Sequence, residues 1–238
     1  MVKINKIPII LLVILTIAAC KESDSYHFPK QNKIDCQYVM FDSGAWREFQ
    51  VTEIKIDEPI SLYDTQTYFV REQIGGIFID NLGDTMRQIE RFRRKTETEK
   101  WNRLNTWVTG IIGSEVIQVE ENVRYLKMQL PLYASKTWNG NIYNRTDTLQ
   151  EYDYEVDSID CQMIINNFEF DSVLTISQKK ELTAITKIHF FERYAVGVGL
   201  VEKQQIDIYS DTYNPDIDIM NRITQGTITD YCLIGYGK

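Results

Sequence analysis

Histidine is almost absent from this 238-residue chain: His27 and His189 are the only two. His27 lies in a polar stretch near the N-terminus, which leaves one histidine for the folded part. A multi-histidine metal site or a Ser-His-Asp triad needs more than that. His189, beside Phe190 and Phe191 in a strand-like run, reads as a structural residue. Cysteine is sparse too. None of Cys20, Cys36, Cys161 and Cys232 stands at Cys-x-x-Cys spacing, so no redox or structural zinc motif is supported. There is no Asp-x-Asp-x-Asp-Gly run, and Asp216 with Asp218 is a weak calcium candidate. Gly197 and Gly199 begin like a nucleotide-binding fingerprint, but the third glycine position holds Glu202. No cofactor and no metal is expected. Positive charge is in deficit as well, with 26 Lys and Arg against 34 Asp and Glu and a formal net charge of −8. An acidic chain lacks the electrostatic footprint of a nucleic-acid binder.

The most specific feature lies at the start. Lys3 and Lys6 precede the stretch from Ile7 to Ala19, apolar except for Pro8 and Thr16. A charged start, a short apolar run and small residues at its end form a secretory signal. A membrane-spanning helix needs about 20 apolar residues, more than this stretch offers. The run closes on Ile17-Ala18-Ala19-Cys20, which resembles the lipobox of bacterial lipoproteins. That resemblance implies cleavage before Cys20 and acylation of its sulfur. One acyl chain binds only marginally, whereas several make a stable anchor. The polar Lys21-Glu22-Ser23-Asp24-Ser25 suits a tether. An acidic stretch after the cysteine resembles a surface-export signal of Bacteroidota lipoproteins, favouring the outer membrane over the inner.

Removal of residues 1–19 would leave 219 residues and, without Lys3 and Lys6, a formal charge of −10. Anionic lipid heads would repel such a chain, so the acyl anchor must do the holding. The expected organisation is a signal peptide over 1–19, a flexible tether over 20–35 and a single β-rich domain over 36–238. In an oxidising compartment, Cys36, Cys161 and Cys232 allow one disulfide and leave one thiol, with the pair undetermined.

From Tyr38 onward the chain is rich in Tyr, Phe, Ile, Val and Thr, residues that fit a pleated, half-buried surface. Phe49 and Val51 share one face. Ile54 and Ile56 continue out of step, which predicts a bulge near Thr52-Glu53. Leu126, Met128 and Leu130 alternate with polar residues, as do Ile206 and Ile208. Val196, Val198 and Leu200 alternate with Gly197 and Gly199, and this segment is read as a strand whose glycines allow bending or close approach. Turn signals fall at 81–84, 113–114, 138–141, 166–167 and 214–215. Pro131 to Asn144 reads as a loop-like midpoint. Short strands with frequent turns predict an all-β, antiparallel fold: a curved sheet forming a half-barrel or open barrel, with minor α content at most. At 98–108, Trp101, Leu104 and Val108 fit helical spacing with Gly110 as its end. The competing reading is a hairpin, with strands near 86–94 and up to Val108 around a polar turn at 95–99.

Several segments together resemble a family of uncharacterised lipoproteins from Bacteroidota: Ile89-Glu-Arg-Phe-Arg-Arg94 with Trp101 and Trp107, then Glu121-Asn122 and Leu126-Lys-Met-Gln-Leu-Pro-Leu132, then Trp138-Asn-Gly-Asn-Ile-Tyr-Asn144, and Glu192-Arg-Tyr-Ala-Val-Gly-Val-Gly-Leu-Val201. The resemblance implies a lipoprotein with a β-rich fold and brings no catalytic residues. The last segment also looks like strands of half-barrel lipid carriers, in which a curved sheet cups an apolar ligand.

Asp153, Glu155 and Asp157 share a parity and could line one strand face, the arrangement a carboxylate-based hydrolase would need. Arg91, Arg93, Arg94 and Lys95 form the one basic cluster, read as a solvated strand edge or an anion-binding patch. Trp101, Trp107 and Trp138 fit a core or a sugar-stacking platform. The expectation is a non-enzymatic, lipid-anchored envelope lipoprotein, held to the membrane through acylated Cys20 and binding an apolar or amphipathic ligand or a protein partner. Its candidate ligand face comprises Val196, Val198, Leu200 and Trp138. The alternatives are a structural or accessory subunit of an outer-membrane complex and, third, the hydrolase.

Overall fold

The computed structural model describes residues 35–144 and 152–238, all within the unit Gln31–Lys238. The signal, Cys20, nearly all of the tether and His27 lie outside the described residues. The first half of the chain supplies β1 (Trp46–Asp57), β2 (Leu62–Ile79), β3 (Thr85–Arg94), β4 (Asn102–Ile112), β5 (Glu115–Glu120) and β6 (Val123–Gln129). The second supplies β7 (Thr137–Asn139), β8 (Asp153–Ile165), β9 (Phe168–Leu182), β10 (Thr186–Ala195), β11 (Gly199–Tyr209) and β12 (Gln225–Gly237). All pair antiparallel with their chain neighbours except β6 with β7, and β12 pairs with β1, so the strand order runs β6-β5-β4-β3-β2-β1-β12-β11-β10-β9-β8-β7 with β6 and β7 as its two edges. The fold is therefore all-β, one twelve-stranded antiparallel sheet curled nearly into a closed barrel. At the seam, Leu126 N donates to Gly140 O at 2.9 Å, Trp138 Nε1 donates to Leu126 O at 2.9 Å, and the Asn144 side-chain amide donates to Arg124 O at 2.8 Å. The segment read as a loop-like midpoint thus contains β7, the short strand that brings the two halves together.

Local chemistry explains the hairpins. Asn166 and Asn167, with φ of 45° and 69°, turn the chain between β8 and β9, and Glu121 and Asn122 (48° and 68°) do so between β5 and β6. Two consecutive left-handed residues match the twist of the flanking strands, and Asn tolerates that conformation. Asp80 Oδ1 accepts from Leu82 N at 2.9 Å and Asp84 N at 3.0 Å, closing the β2–β3 turn. Inside, Phe49 stands between Val70 and Leu233, and Val51 between Tyr68 and Tyr231. Phe49, Val51, Val70 and Leu233 are fully buried, each side chain contributing about 1.5–3 kcal/mol of transfer free energy.

One ambiguity of the sequence resolves in favour of the hairpin, and three readings change. The ambiguous 98–108 stretch is a hairpin limb: β3 and β4 pair with Ile89 opposite Trp107, and Gly110 sits inside β4 where a Cβ would meet Met86 Sδ at 2.4 Å. The register of β1 with β2 is unbroken at Thr52-Glu53, and β1 shifts instead at Glu48/Phe49 against β12. Ile54 and Ile56 fall out of step because they serve the outer face. There Ile54 packs with Ile206, Ile208, Ile219 and Ile228. The Val196–Val198 segment is a hairpin turn between β10 and β11, with Gly197 and Gly199 at φ of 76° and 81°, so its alternation is not that of a strand. Finally, β3 is no edge: it lies between β2 and β4.

The chain before β1 lies across one end of the barrel. A 3-10 turn at Asp35–Tyr38 leads to Gly44 N, which donates to Ile74 O at 2.8 Å, and Gly197 N donates to Gln37 O at 2.8 Å.

Candidate functional site

Two features stand out: a charged belt inside the barrel and a cavity at its N-terminal end. The belt follows from register. Arg47 on β1 and Arg91 on β3 both stand opposite Glu72 on β2. Arg47 Nε donates to Glu72 Oε2 at 2.9 Å and Arg91 Nε to Glu72 Oε1 at 3.0 Å. Arg91 also lies 3.5 Å over the Trp107 ring. On the facing wall, Lys127 Nζ reaches Glu120 and Glu192, each at 2.8 Å, and Lys203 Nζ stands 3.5 Å from Glu192. The Tyr194 hydroxyl donates to Glu192. Because Lys127 is on β6 and Glu192 on β10, their bond braces the interior from wall to wall.

Burial alone would raise the carboxylate pKa values, but the cations override it. Glu192 is brought down to about 2 by Lys127 and Lys203, and Glu72 is lowered by Arg47 and Arg91. Burial opposes the charge on Lys127, yet Glu120 and Glu192 hold its pKa well above the ordinary value. Glu72, Glu192 and Lys127 are thus charged at neutral pH. Breaking one such buried pair costs about 3–5 kcal/mol, because the surviving charge is stranded. The space left around it is small. Two cavities of about 20 Å³ share Arg47, Gln118, Lys127, Tyr194 and Leu200, each with room for a group of water's size. The belt's chemistry is that of an internal brace.

The cavity at the N-terminal end is far larger, about 640 Å³, lined by Val39, Phe41, Trp46, Val196, Val198 and Tyr236 among others. Asp42 and Lys238 form an ion pair on it. The Tyr38 hydroxyl, donating to Asp160 Oδ1 at 2.6 Å and 2.7 Å from Ser172 Oγ, ties the N-terminal segment to β8 and β9. Burial first, then the Asp160 hydrogen bond, push the Tyr38 pKa up to about 12.

The candidate ligand face divides between these places. Val196 and Val198 line the large cavity. Leu200 borders the two small internal cavities, and Trp138 is buried at the seam. Asp153 and Asp157 are exposed on β8, with Asp157 accepting from Ser177, so no facing carboxylate pair forms. Asp218 Oδ1 accepts from Met220 N at 2.8 Å and caps a 3-10 turn. Among the described residues no group of His, Cys, Asp and Glu is placed to hold a metal. His189 sits 5.4 Å from Phe191. Cys161 and Cys232 are free thiols.

Sequence reading missed the belt. Arg47, Glu72, Lys127 and Glu192 stand in strands among other charged residues, and nothing local separates an inward charge from an outward one. Only the charge density of Ile89–Arg94 drew attention.

No protein family, curated protein or solved structure matches this chain.

Proposed function

We propose that this protein is a non-enzymatic, lipid-anchored envelope lipoprotein that takes an apolar or amphipathic ligand in the cavity at the N-terminal end of its barrel. That cavity, about 640 Å³ with Val39, Phe41, Trp46, Val196, Val198 and Tyr236 on its walls, carries the reading. Small-molecule sites are concave, mostly apolar and about 300–1,000 Å³. The barrel interior is filled by side chains and the belt, so the ligand is received at the end of the sheet rather than on its concave face. The signal and lipobox motif support anchoring through acylated Cys20, in the outer membrane by the acidic residues that follow. Residues 21–34 would span at most about 50 Å when extended. The cavity, next to Asp35, would then stay within that reach of the membrane. The likeness to Bacteroidota lipoproteins agrees with this placement.

Native mass spectrometry of the full chain, released from non-ionic detergent micelles, tests the reading. A retained apolar molecule that is lost in Val196→Glu is expected. A chain that carries nothing, and exchanges no added fatty acid, would overturn it.

One observation favours a second reading, an accessory subunit of an outer-membrane complex. Ile77, Ile79 and Leu82, exposed by 59%, 71% and 74%, cluster at the β2–β3 hairpin. A stoichiometric protein partner in pull-downs from membranes, lost in Ile79→Asp, would favour it.

A further inference from the structure

The cations inside the barrel find acids close by. Arg47, Arg91 and Lys127 make ion pairs of 2.8–3.0 Å. The β3–β4 hairpin is different. A cleft of about 450 Å³ there is lined by Arg93, Arg94, Lys95 and Arg103, with Glu99, Asn102 and Leu104. Among the described residues Arg93 and Lys95 have no carboxylate within 4.0 Å, and Arg94 and Arg103 reach one only at 3.8 and 4.0 Å. The cleft's one carboxylate, Glu99, is engaged: its Oε2 accepts from Lys95 N at 2.9 Å. Four cations thus line one cleft in a chain with acids to spare.

The guanidinium groups are also held in place. Arg93 lies 3.7 Å over the Tyr68 ring. Arg94 lies 4.3 Å over Trp101, and its Nη1 donates to Glu97 O at 2.7 Å. Stacking fixes each planar fork while leaving donor edges free, which lowers the ordering cost of binding an anion. Guanidinium matches phosphate geometry through paired hydrogen bonds. A cleft of this volume accepts a phosphate group with part of its parent molecule.

We propose that the β3–β4 cleft is a binding site for a phosphate-bearing ligand. It is separate from the apolar cavity: Arg94 is level with Gln50, midway along β1, whereas that cavity lies beside Trp46 at the start of β1, and the two share no lining residue. It does not depend on the ligand reading given above. The phosphate has two sources, a soluble phosphate compound or a phospholipid headgroup.

Trp101 against Arg94 supplies a reporter. The full chain in non-ionic micelles is titrated with inorganic pyrophosphate at low salt while tryptophan fluorescence is followed. In a second arm the micelles are doped with phosphatidylglycerol. Saturable binding in the first arm supports a soluble source and in the second a headgroup source. In either, affinity should fall at least tenfold in Arg93→Gln/Arg94→Gln and about threefold in Arg103→Gln, whose exposed side chain makes a folding defect improbable. Lys187→Gln, a charge removed from β10, should bind as the parent does. No saturable binding in both arms overturns the proposal. Equal losses in Lys187→Gln and Arg103→Gln overturn it too, since only net charge would then matter.

Discussion

The Tyr38 hydroxyl donates to Asp160 Oδ1 at 2.6 Å, joining the segment before β1 to β8 across 122 residues of chain. Tyr38 is fully buried, so this bond and the Ser172 contact decide how firmly the N-terminal segment closes the barrel end. Tyr38→Phe keeps the ring and leaves Asp160 and Ser172 without the hydroxyl. A loss of about 1–3 kcal/mol is expected in urea unfolding. Amide hydrogen exchange should speed up at 36–45 and stay unchanged in β3 and β4.

Glu192→Gln removes the charge that Lys127 and Lys203 share. Lys127 keeps Glu120, but two cations lose their common partner, and a cost of about 3–5 kcal/mol is expected. Replacing Lys127 with Met and Glu192 with Leu together should cost more than Glu192→Gln alone, since Glu120 then loses Lys127 while Lys203 still lacks Glu192. Thermal unfolding of the three chains checks the order.

The same belt sets the acid limit. Glu192 has a folded pKa of about 2, lowered by Lys127 and Lys203 against burial, whereas an unfolded Glu titrates near about 4.3. A depressed carboxylate contributes stability above its unfolded pKa and loses it as pH falls toward the folded value. Glu72, lowered by its two arginines, acts in the same direction. Unfolding free energy should therefore decline from about pH 5 toward pH 2, and the decline should be shallower in Glu192→Gln. An equal slope in the two chains would remove Glu192 from the account.

Glycine substitutions separate close approach from conformation. A Cβ on Gly226 would meet Asp207 O at 2.2 Å and Ile208 Cα at 2.7 Å, both backbone of the neighbouring β11. Gly226→Ala is expected to cost more than about 3 kcal/mol or to prevent folding. Gly113, with φ of +59°, has nothing within 4 Å of its Cβ position. Gly113→Ala should cost only the left-handed penalty, roughly 1–2 kcal/mol. Denaturation midpoints of the two variants give the comparison.

Two thiols should react without reductant. Cys161 and Cys232 are free, so denatured protein should take up an alkyl group at each with or without prior reduction. In the native protein Cys232 should alkylate several-fold more slowly at pH 8 than a cysteine in a short peptide. Burial raises its pKa, and Glu202 and Asp230 add to that. Fast native modification of Cys232 would contradict the placement.

Much of the architecture was legible because strand chemistry is local. Asn166-Asn167 and Gly113-Ser114 announced hairpins, and alternation marked Phe49 with Val51 and Leu126 with Met128. The site was less legible. Val196, Val198 and Leu200 read as one strand face, yet the first two stand in a turn beside the large cavity and Leu200 faces the interior. Alternation describes side chains only while the backbone stays extended, and Gly197 at φ of 76° ends that condition. Trp138 was recognised as notable, but its role at the seam depends on Leu126 O, supplied by a different strand.

By itself the sequence determined the all-β class and most of the turns. These rest on contiguous residues: period-two patterning, and side chains that tolerate left-handed backbone. Only the tertiary structure decided that β12 closes on β1, that Glu72, Arg91, Lys127 and Glu192 point inward as a brace, and that Arg93, Arg94, Lys95 and Arg103 are left facing a cleft with few acids near. A charge in a strand has the same local sequence whether it meets solvent, a partner across a barrel or an empty cleft. The difference is made by residues brought alongside from elsewhere in the chain.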